Sequence, residues 1–140
     1  MEKPDWDIDY LSNNAVCAKC GKKETRFPKY ICDAHTHGME RYGHLNFQVV
    51  LDYGMQEVAY LLNAICQRVH NGERFKDKDL VAGLYLDCDI QLRQVTDCDG
   101  QPILRLIIPD RQNRLPEESE PPYTYQTLAT SILHLGKTSQ

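Results

Sequence analysis

The chain has 140 residues, with 16 lysines and arginines against 20 aspartates and glutamates, so its formal net charge is −4 at pH 7. This length predicts one domain, and the acidic balance excludes the basic face that non-specific nucleic-acid binding requires. No apolar run approaches the roughly 20 residues of a membrane span, and the opening MEKPDWDIDY lacks the apolar core of a signal peptide. The sequence therefore predicts a cytoplasmic protein that binds neither nucleic acid nor membranes.

Cysteine is frequent, with six residues, and three of them fall close together. Cys17 and Cys20 form a Cys-x-x-Cys pair, and Cys32 follows after eleven further residues in the segment CAKCGKKETRFPKYICDAHTH. Without a secretory signal, this spacing indicates metal binding or redox chemistry rather than disulfides. A redox pair usually precedes a helix, and the Phe27-Pro28 step is unfavourable for one. Metal binding is therefore the preferred interpretation.

Zinc is the cofactor that this segment predicts, because tetrahedral Zn²⁺ accepts three thiolates and one imidazole. The predicted ligands are Cys17, Cys20, Cys32 and His35, with His37 as the alternative fourth ligand. Four protein ligands leave no position for a substrate, which is typical of a structural site. In a regular strand, however, Cys32 projects from the opposite face to His35. Which histidine completes the site therefore stays open.

A second interpretation involves Asp33, His35 and His37. The run DAHTHG resembles the D-x-H-x-H-G motif at the first barrel strand of amidohydrolases and related metal-dependent phosphoesterases. In those enzymes the histidines bind a metal ion that activates water. The resemblance covers six residues, and such a barrel takes about 250 residues. A metal-dependent hydrolase is therefore the alternative to a structural zinc site, and we assign no catalytic residue.

The rest of the chain predicts strands and one clear helix. The strands are expected over residues 30–39, 47–51, 84–95 and 103–108. Apolar residues recur at steps of three and four over residues 55–70, as in an amphipathic helix. Asp99-Gly100 predicts a hairpin turn. Residues 110–122 predict a surface loop, and residues 123–135 fit either a short helix or a strand.

The loop after the last strand carries Asp110, Arg111 and Arg114. One interpretation is a ligand clamp, because arginine presents a bidentate fork to carboxylate or phosphate. The simpler interpretation, which we prefer, is that aspartate–arginine pairing fixes the loop and leaves it otherwise solvated.

Several short motifs occur along the chain in an order that resembles that of a known family. They are HTHGM, YGH and FQVVL over residues 35–51, LLN and NGERF over residues 61–75, and LIIPDR and NRLP over residues 106–116. Together they resemble the bacterial domain-of-unknown-function family 4262, over roughly residues 30–118. The family has no established activity, so the resemblance implies a fold and little more. The chain departs from the family by its histidines at positions 35 and 37 and by the Cys-x-x-Cys loop, which indicates an added metal staple.

These observations predict a single α+β domain over residues 1–140. It consists of a polar arm over residues 1–16, a metal loop and first strand over residues 17–38, and a core over residues 39–135. The expected fold is an antiparallel sheet packed by one long amphipathic helix, with an N-terminal zinc-binding loop. The expected function is a non-enzymatic module that recognises a protein or small-molecule partner. An exposed sheet edge and bulky aromatic residues favour a homodimer.

Overall fold

Short apolar segments separated by turns build one six-stranded sheet in the computed structural model, which describes residues 6–12, 27–85 and 88–135. The strands are β1 (Asp7–Ser12), β2 (Ile31–His37), β3 (Asn46–Leu51), β4 (Leu80–Tyr85), β5 (Cys88–Thr96) and β6 (Pro102–Ile107). The helices are α1 (Met55–His70) and the shorter α2 (Thr130–Leu135). Short 3₁₀ helices lie at Met39–Tyr42, Pro116–Glu118 and Tyr123–Thr127.

The sheet is mixed, so the predicted antiparallel sheet is wrong. Its strand order is β1-β2-β3-β6-β5-β4, and the central pair β3 and β6 is parallel while the other neighbours are antiparallel. The connection from β3 to β6 passes through α1 and the β4–β5 hairpin, and this long crossover allows the parallel pairing. Both central strands are buried along almost their whole length, as is typical of parallel strands that are covered on both faces.

The prediction that one long helix packs the sheet is also wrong. Helix α1 begins and ends where the periodicity predicts, at Met55 and His70, but it spans only 16 residues and covers one sheet face. The other face is covered by the C-terminal segment, which carries α2 and the 3₁₀ helix Tyr123–Thr127. Six side chains of α1 are buried: Val58, Leu61, Leu62, Ile65, Cys66 and Val69.

Two strands differ from the sequence-based expectation. The strand predicted over residues 84–95 is instead the two strands β4 and β5, which form an antiparallel pair. The predicted polar arm contains β1, which adds a strand to the edge of the sheet beside β2. Trp6 fixes the beginning of β1, because its Nε1 donates a hydrogen bond of 2.8 Å to Asn63 Oδ1 on α1. The Asp99-Gly100 turn is confirmed, with Gly100 at φ +83° between β5 and β6.

Within the described parts of the chain, neither helix has the length and apolar character that crossing a membrane requires.

Candidate metal centre

The edge pair β1 and β2 brings one carboxylate and two imidazoles together. Asp9 lies directly opposite His35 in the antiparallel register, and His37 follows two positions later, on the same face. His37 Nε2 donates a hydrogen bond of 2.8 Å to Asp9 Oδ2, and His35 Nε2 lies 3.8 Å from the same oxygen. One potential metal-ligand atom from each of the three residues lies within 4.8 Å of the other two. We refer to these three residues as the edge triad.

Asp33 orients His35 from the interior of the protein. His35 Nδ1 donates a hydrogen bond of 3.0 Å to Asp33 Oδ1, which leaves the Nε2 lone pair directed at Asp9. A carboxylate behind a histidine is the usual support of a metal-binding imidazole, because it fixes both the tautomer and the ring orientation. His35 is almost fully buried, whereas Asp9 and His37 have side chains that are 58% and 48% exposed. The edge triad therefore has one fixed donor and two adjustable ones.

Hydrogen bonds stabilise the ionised form of the Asp33 carboxyl. Burial by itself would raise the pKa of the Asp33 carboxyl, but hydrogen bonds from His134, His35 and Gln48 outweigh it and hold this pKa well below its usual range. Burial would likewise lower the pKa of His35, but the hydrogen bond and the charge of Asp33 raise it. Asp33 is therefore an ionised, buried carboxylate. A metal ion at His35 would have to compete with a proton.

A buried polar network continues from Asp33 across the sheet. Gln48 Nε2 donates to Asp33 Oδ1 at 3.0 Å, and Gln48 Oε1 accepts a 2.7 Å hydrogen bond from Arg105 Nε. On the other side, His134 Nε2 donates to Asp33 Oδ2 at 2.7 Å. The network joins β2, β3, β6 and α2, so the carboxylate behind His35 is held from three directions.

Arg105 is the largest fully buried side chain of the described residues. Its Nη1 donates to the carbonyl oxygens of Gln126 and Leu128 at 2.8 Å and 2.6 Å, and its Nη2 donates to Thr130 Oγ1 at 3.1 Å. Burial lowers the pKa of Arg105 to about 10, so it stays protonated at neutral pH. Its hydrogen bonds hold the C-terminal segment against the sheet face that carries Gln48 and Arg105, which we call the polar face.

The residues of the predicted Cys₃His site are not all described. Cys17 and Cys20 lie outside the described residues, so this ligand set stays a prediction. Cys32 is fully buried in β2, on the face opposite His35, and its Sγ donates a weak 3.6 Å hydrogen bond to Val49 O. Burial raises the pKa of the Cys32 thiol well above its usual range, which disfavours the thiolate that metal binding requires.

The structure groups the predicted histidines with a residue that the sequence analysis did not single out. His35 and His37 lie together in β2, and their ring centroids are 4.9 Å apart, but their acidic neighbour on the ligand side is Asp9. Asp33, the acidic member of the predicted hydrolase motif, lies behind His35. The sequence analysis also missed Gln48 and Arg105 as site residues, although each is a polar residue inside an apolar run, FQVVL and ILRLII.

Comparison of the chain with protein-family models, with curated proteins and with solved structures found no match. The resemblance to the domain-of-unknown-function family 4262 therefore stays a prediction.

Proposed function

We propose that the protein is a zinc-binding module in which Asp9, His35 and His37 hold the ion between β1 and β2. The observation that carries this proposal is the convergence of the three donor atoms within 4.8 Å. Donors on one tetrahedral zinc ion lie about 3.4 Å apart, because each bond is about 2.1 Å long. Small rotations of the half-exposed Asp9 and His37 side chains would close this difference.

The donor chemistry supports zinc or a similar transition ion over magnesium or calcium. Imidazole nitrogen suits zinc, copper, nickel and iron, whereas magnesium and calcium prefer oxygen donors alone. The support that Asp33 gives to His35 adds to this preference, since a hydrogen-bonded imidazole is a more basic and better oriented ligand.

A structural role follows from the position of the edge triad. Strand β1 is at the edge of the sheet, and β2 is its only partner among the described strands. An ion shared by Asp9 on β1 and the histidines on β2 would tie this strand to the sheet. The binding free energy of the ion would then add to the free energy of unfolding.

A metal-dependent hydrolase is the second candidate, and one observation favours it. The edge triad supplies three protein ligands, so a tetrahedral ion would keep one position for water, and zinc lowers the pKa of bound water to about 7. In this candidate, His35 and His37 act as ligands and Asp33 orients His35. Hydrolysis of p-nitrophenyl acetate or bis(p-nitrophenyl) phosphate that depends on zinc and is lost in His37→Asn would favour the hydrolase over the structural role.

Zinc affinity of single variants tests the proposal. We expect Asp9→Asn and His37→Asn each to weaken zinc binding at least about tenfold in a competition titration against a chromogenic chelator. Two exposed residues outside the edge triad provide matched controls, Asp89→Asn on β5 and His70→Asn at the end of α1, and both should bind zinc like the unaltered protein.

The double variant Cys17→Ser/Cys20→Ser separates the edge triad from the predicted cysteine site. We expect it to keep its zinc, measured by plasma emission spectrometry on reduced protein. Loss of zinc in this variant, together with full zinc in His37→Asn, would assign the ion to the cysteines and contradict the proposal.

We also propose the cytoplasm as the location of the protein. Among the described residues, Cys32, Cys66 and Cys98 are free thiols, which supports a reducing compartment.

A further inference from the structure

Two adjoining hollows lie beside the loop that follows β6, and Arg111 and Tyr123 line both of them. Their volumes are about 310 Å³ and about 270 Å³. The second hollow is also lined by Tyr30, Asp52 and Tyr53. We call the two hollows together the Arg111 cleft. Its size falls within the range of small-molecule sites, roughly 300–1,000 Å³.

Arg111 provides an unused positive charge in this cleft. Its neighbour Arg114 is held in an ion pair by Asp110, with Nε 2.8 Å from Oδ2, which confirms the predicted aspartate–arginine pairing for that residue. Asp110 also accepts a hydrogen bond from Ser119 Oγ. Arg111 is exposed, and none of the residues that the structure describes pairs with its guanidinium. The guanidinium is therefore available for a carboxylate or phosphate, which it can bind with two parallel hydrogen bonds.

Aromatic rings form the wall next to this charge. Tyr30 and Tyr53 are 59% and 37% exposed, high values for such large rings, and Tyr123 is half-buried. Tyr30 has φ +66°, a backbone conformation that bulky side chains rarely adopt and that is concentrated at ligand sites. Its carbonyl oxygen accepts a 2.9 Å hydrogen bond from Asp52 N, which holds this unusual conformation beside the cleft.

Asp52 adds a fixed hydrogen-bond acceptor. Its Oδ1 accepts hydrogen bonds from Tyr10 Oη and from Gly54 N, so the carboxylate is anchored from two sides. A carboxylate repels a second anion but accepts a hydrogen bond from an amine or hydroxyl group of a ligand. The lining of the second hollow therefore combines the Arg111 cation, flat aromatic surfaces and the Asp52 acceptor. The first hollow adds Glu120 and the Asp110–Arg114 ion pair, whose charges offset each other.

We propose that the Arg111 cleft binds a small planar aromatic anion, with its phosphate or carboxylate on Arg111 and its ring against Tyr30 and Tyr53. This inference goes beyond the proposed zinc site, because it rests on different residues and requires no metal ion.

Isothermal titration calorimetry with four probes tests the proposal. The probes are adenosine 5′-monophosphate, adenosine, inorganic phosphate and indole-3-acetate, which separate the ring from the charge and a phosphate from a carboxylate. We expect at least one of the two aromatic anions to bind at least tenfold more tightly than both adenosine and phosphate. The preferred anion identifies the charged group of the ligand.

Variants locate the binding. Arg111→Gln and Tyr53→Ala should each weaken the best probe at least fivefold, while Lys76→Gln, which removes an exposed positive charge elsewhere, should leave its affinity unchanged. Thermal melting of each variant checks that it is folded, and Arg111→Lys, which keeps the charge without the fork, should bind more weakly than the unaltered protein and more tightly than Arg111→Gln.

Three results would overturn the proposal: neither aromatic anion binding with a Kd below about 1 mM, inorganic phosphate binding as tightly as the aromatic anions, or Arg111→Gln binding like the unaltered protein. All titrations are made in the presence of EDTA, so failure of the zinc site does not affect the outcome.

Discussion

The two faces of the sheet are covered by different chemistry. Under α1, the strands present apolar side chains such as Phe47 and Val49 of β3 and Leu104 of β6, all fully buried. Under the C-terminal segment, the same central strands present Gln48 and Arg105, joined by a hydrogen bond of 2.7 Å. The first face is therefore held by burial of apolar area. The second also buries Val50, Ile103 and Ile107, and it adds directional hydrogen bonds to that burial.

The two faces contribute to folding in different ways. Apolar burial stabilises in proportion to area and tolerates small shifts of the packed elements. A buried polar network stabilises less on balance, because its groups lose their hydration, but it permits only the arrangement in which every donor and acceptor is satisfied. The polar face therefore fixes where the C-terminal segment lies and how Asp33 orients His35. The apolar face supplies most of the free energy of folding.

Arg105→Leu should give the largest effect. It leaves Gln48 Oε1 and the carbonyl oxygens of Gln126 and Leu128 without their donor, so we expect a loss of about 4 kcal/mol in the free energy of unfolding. Hydrogen exchange should show that residues 126–135 lose protection first, because Arg105 holds that segment.

The pattern of hydrogen exchange in Arg105→Leu tests whether the two faces of the sheet act separately. If Arg105→Leu lowers protection evenly in α1 and in the C-terminal segment, then the two faces do not act as separate units. Should the variant be as stable as the unaltered protein, the network would contribute nothing to stability.

Leu62→Ala is the corresponding variant for the apolar face, because it removes a buried side chain of α1. Leu62 is fully buried on α1, and removing a buried leucine side chain typically costs about 3 kcal/mol through lost burial and a residual cavity. Urea unfolding followed by circular dichroism measures this cost. Tyr60→Ala, on the exposed side of the same helix, should change stability by less than about 0.5 kcal/mol.

Zinc affinity should distinguish the two faces further. We expect Leu62→Ala, measured where it is fully folded, to bind zinc normally, because nothing polar near the edge triad changes. Equal losses of zinc affinity in Leu62→Ala and Arg105→Leu would mean that affinity follows overall stability rather than the polar network.

The elements that the sequence predicted correctly are those whose signals are local. Helix α1 follows from apolar residues three and four positions apart, and the hairpin turn follows from Asp99-Gly100. The parallel pair β3–β6 joins residues such as Gln48 and Arg105 that are far apart in the chain. The near-continuous apolar runs of the two strands are compatible with parallel pairing, but which two strands pair over such a distance depends on the whole packed sheet.

The candidate site shows the same limit. His35 and His37 are close neighbours in the sequence, whereas Asp9 reaches them only through the pairing of β1 with β2. Trp6, Ile8 and Tyr10 alternate with Asp7 and Asp9, which is a strand signal, but the alternation does not say which strand β1 pairs with. Gln48 and Arg105 could have been identified, because a polar residue inside the apolar runs FQVVL and ILRLII needs buried partners, but the sequence does not say which partners.

Asp33→Asn should have a medium effect that is confined to the polar face. The amide cannot hold both His35 and His134 as the carboxylate does, so the support of the metal-binding imidazole weakens. We expect zinc affinity to fall about 10- to 100-fold, as is typical for loss of a carboxylate behind a ligating histidine. Competition titration measures the change, with Asp89→Asn as the control. Unchanged zinc affinity would show that Asp33 has no role in orienting His35.

Tyr10→Phe should give the smallest effect, a change in how the free energy of unfolding depends on pH. Burial, followed by the hydrogen bond to Asp52, raises the pKa of Tyr10 to about 12. An unfolded tyrosine ionises near pH 10, so the stability that Tyr10 contributes is complete below about pH 10 and is lost as the pH rises towards 12. Tyr10→Phe lacks this titration, and the stability gap between the two proteins should therefore narrow between pH 9 and pH 11.

Because the Tyr10 side chain is partly exposed, solvent screening reduces this narrowing to about 0.5 kcal/mol. Urea unfolding of both proteins at the two pH values measures it, and taking the difference cancels the titration of lysines common to both. A gap that stays constant would mean that the hydrogen bond from Tyr10 to Asp52 does not distinguish the folded from the unfolded protein. A gap that widens would reverse the sign of the linkage and require Tyr10 to ionise more easily in the folded state.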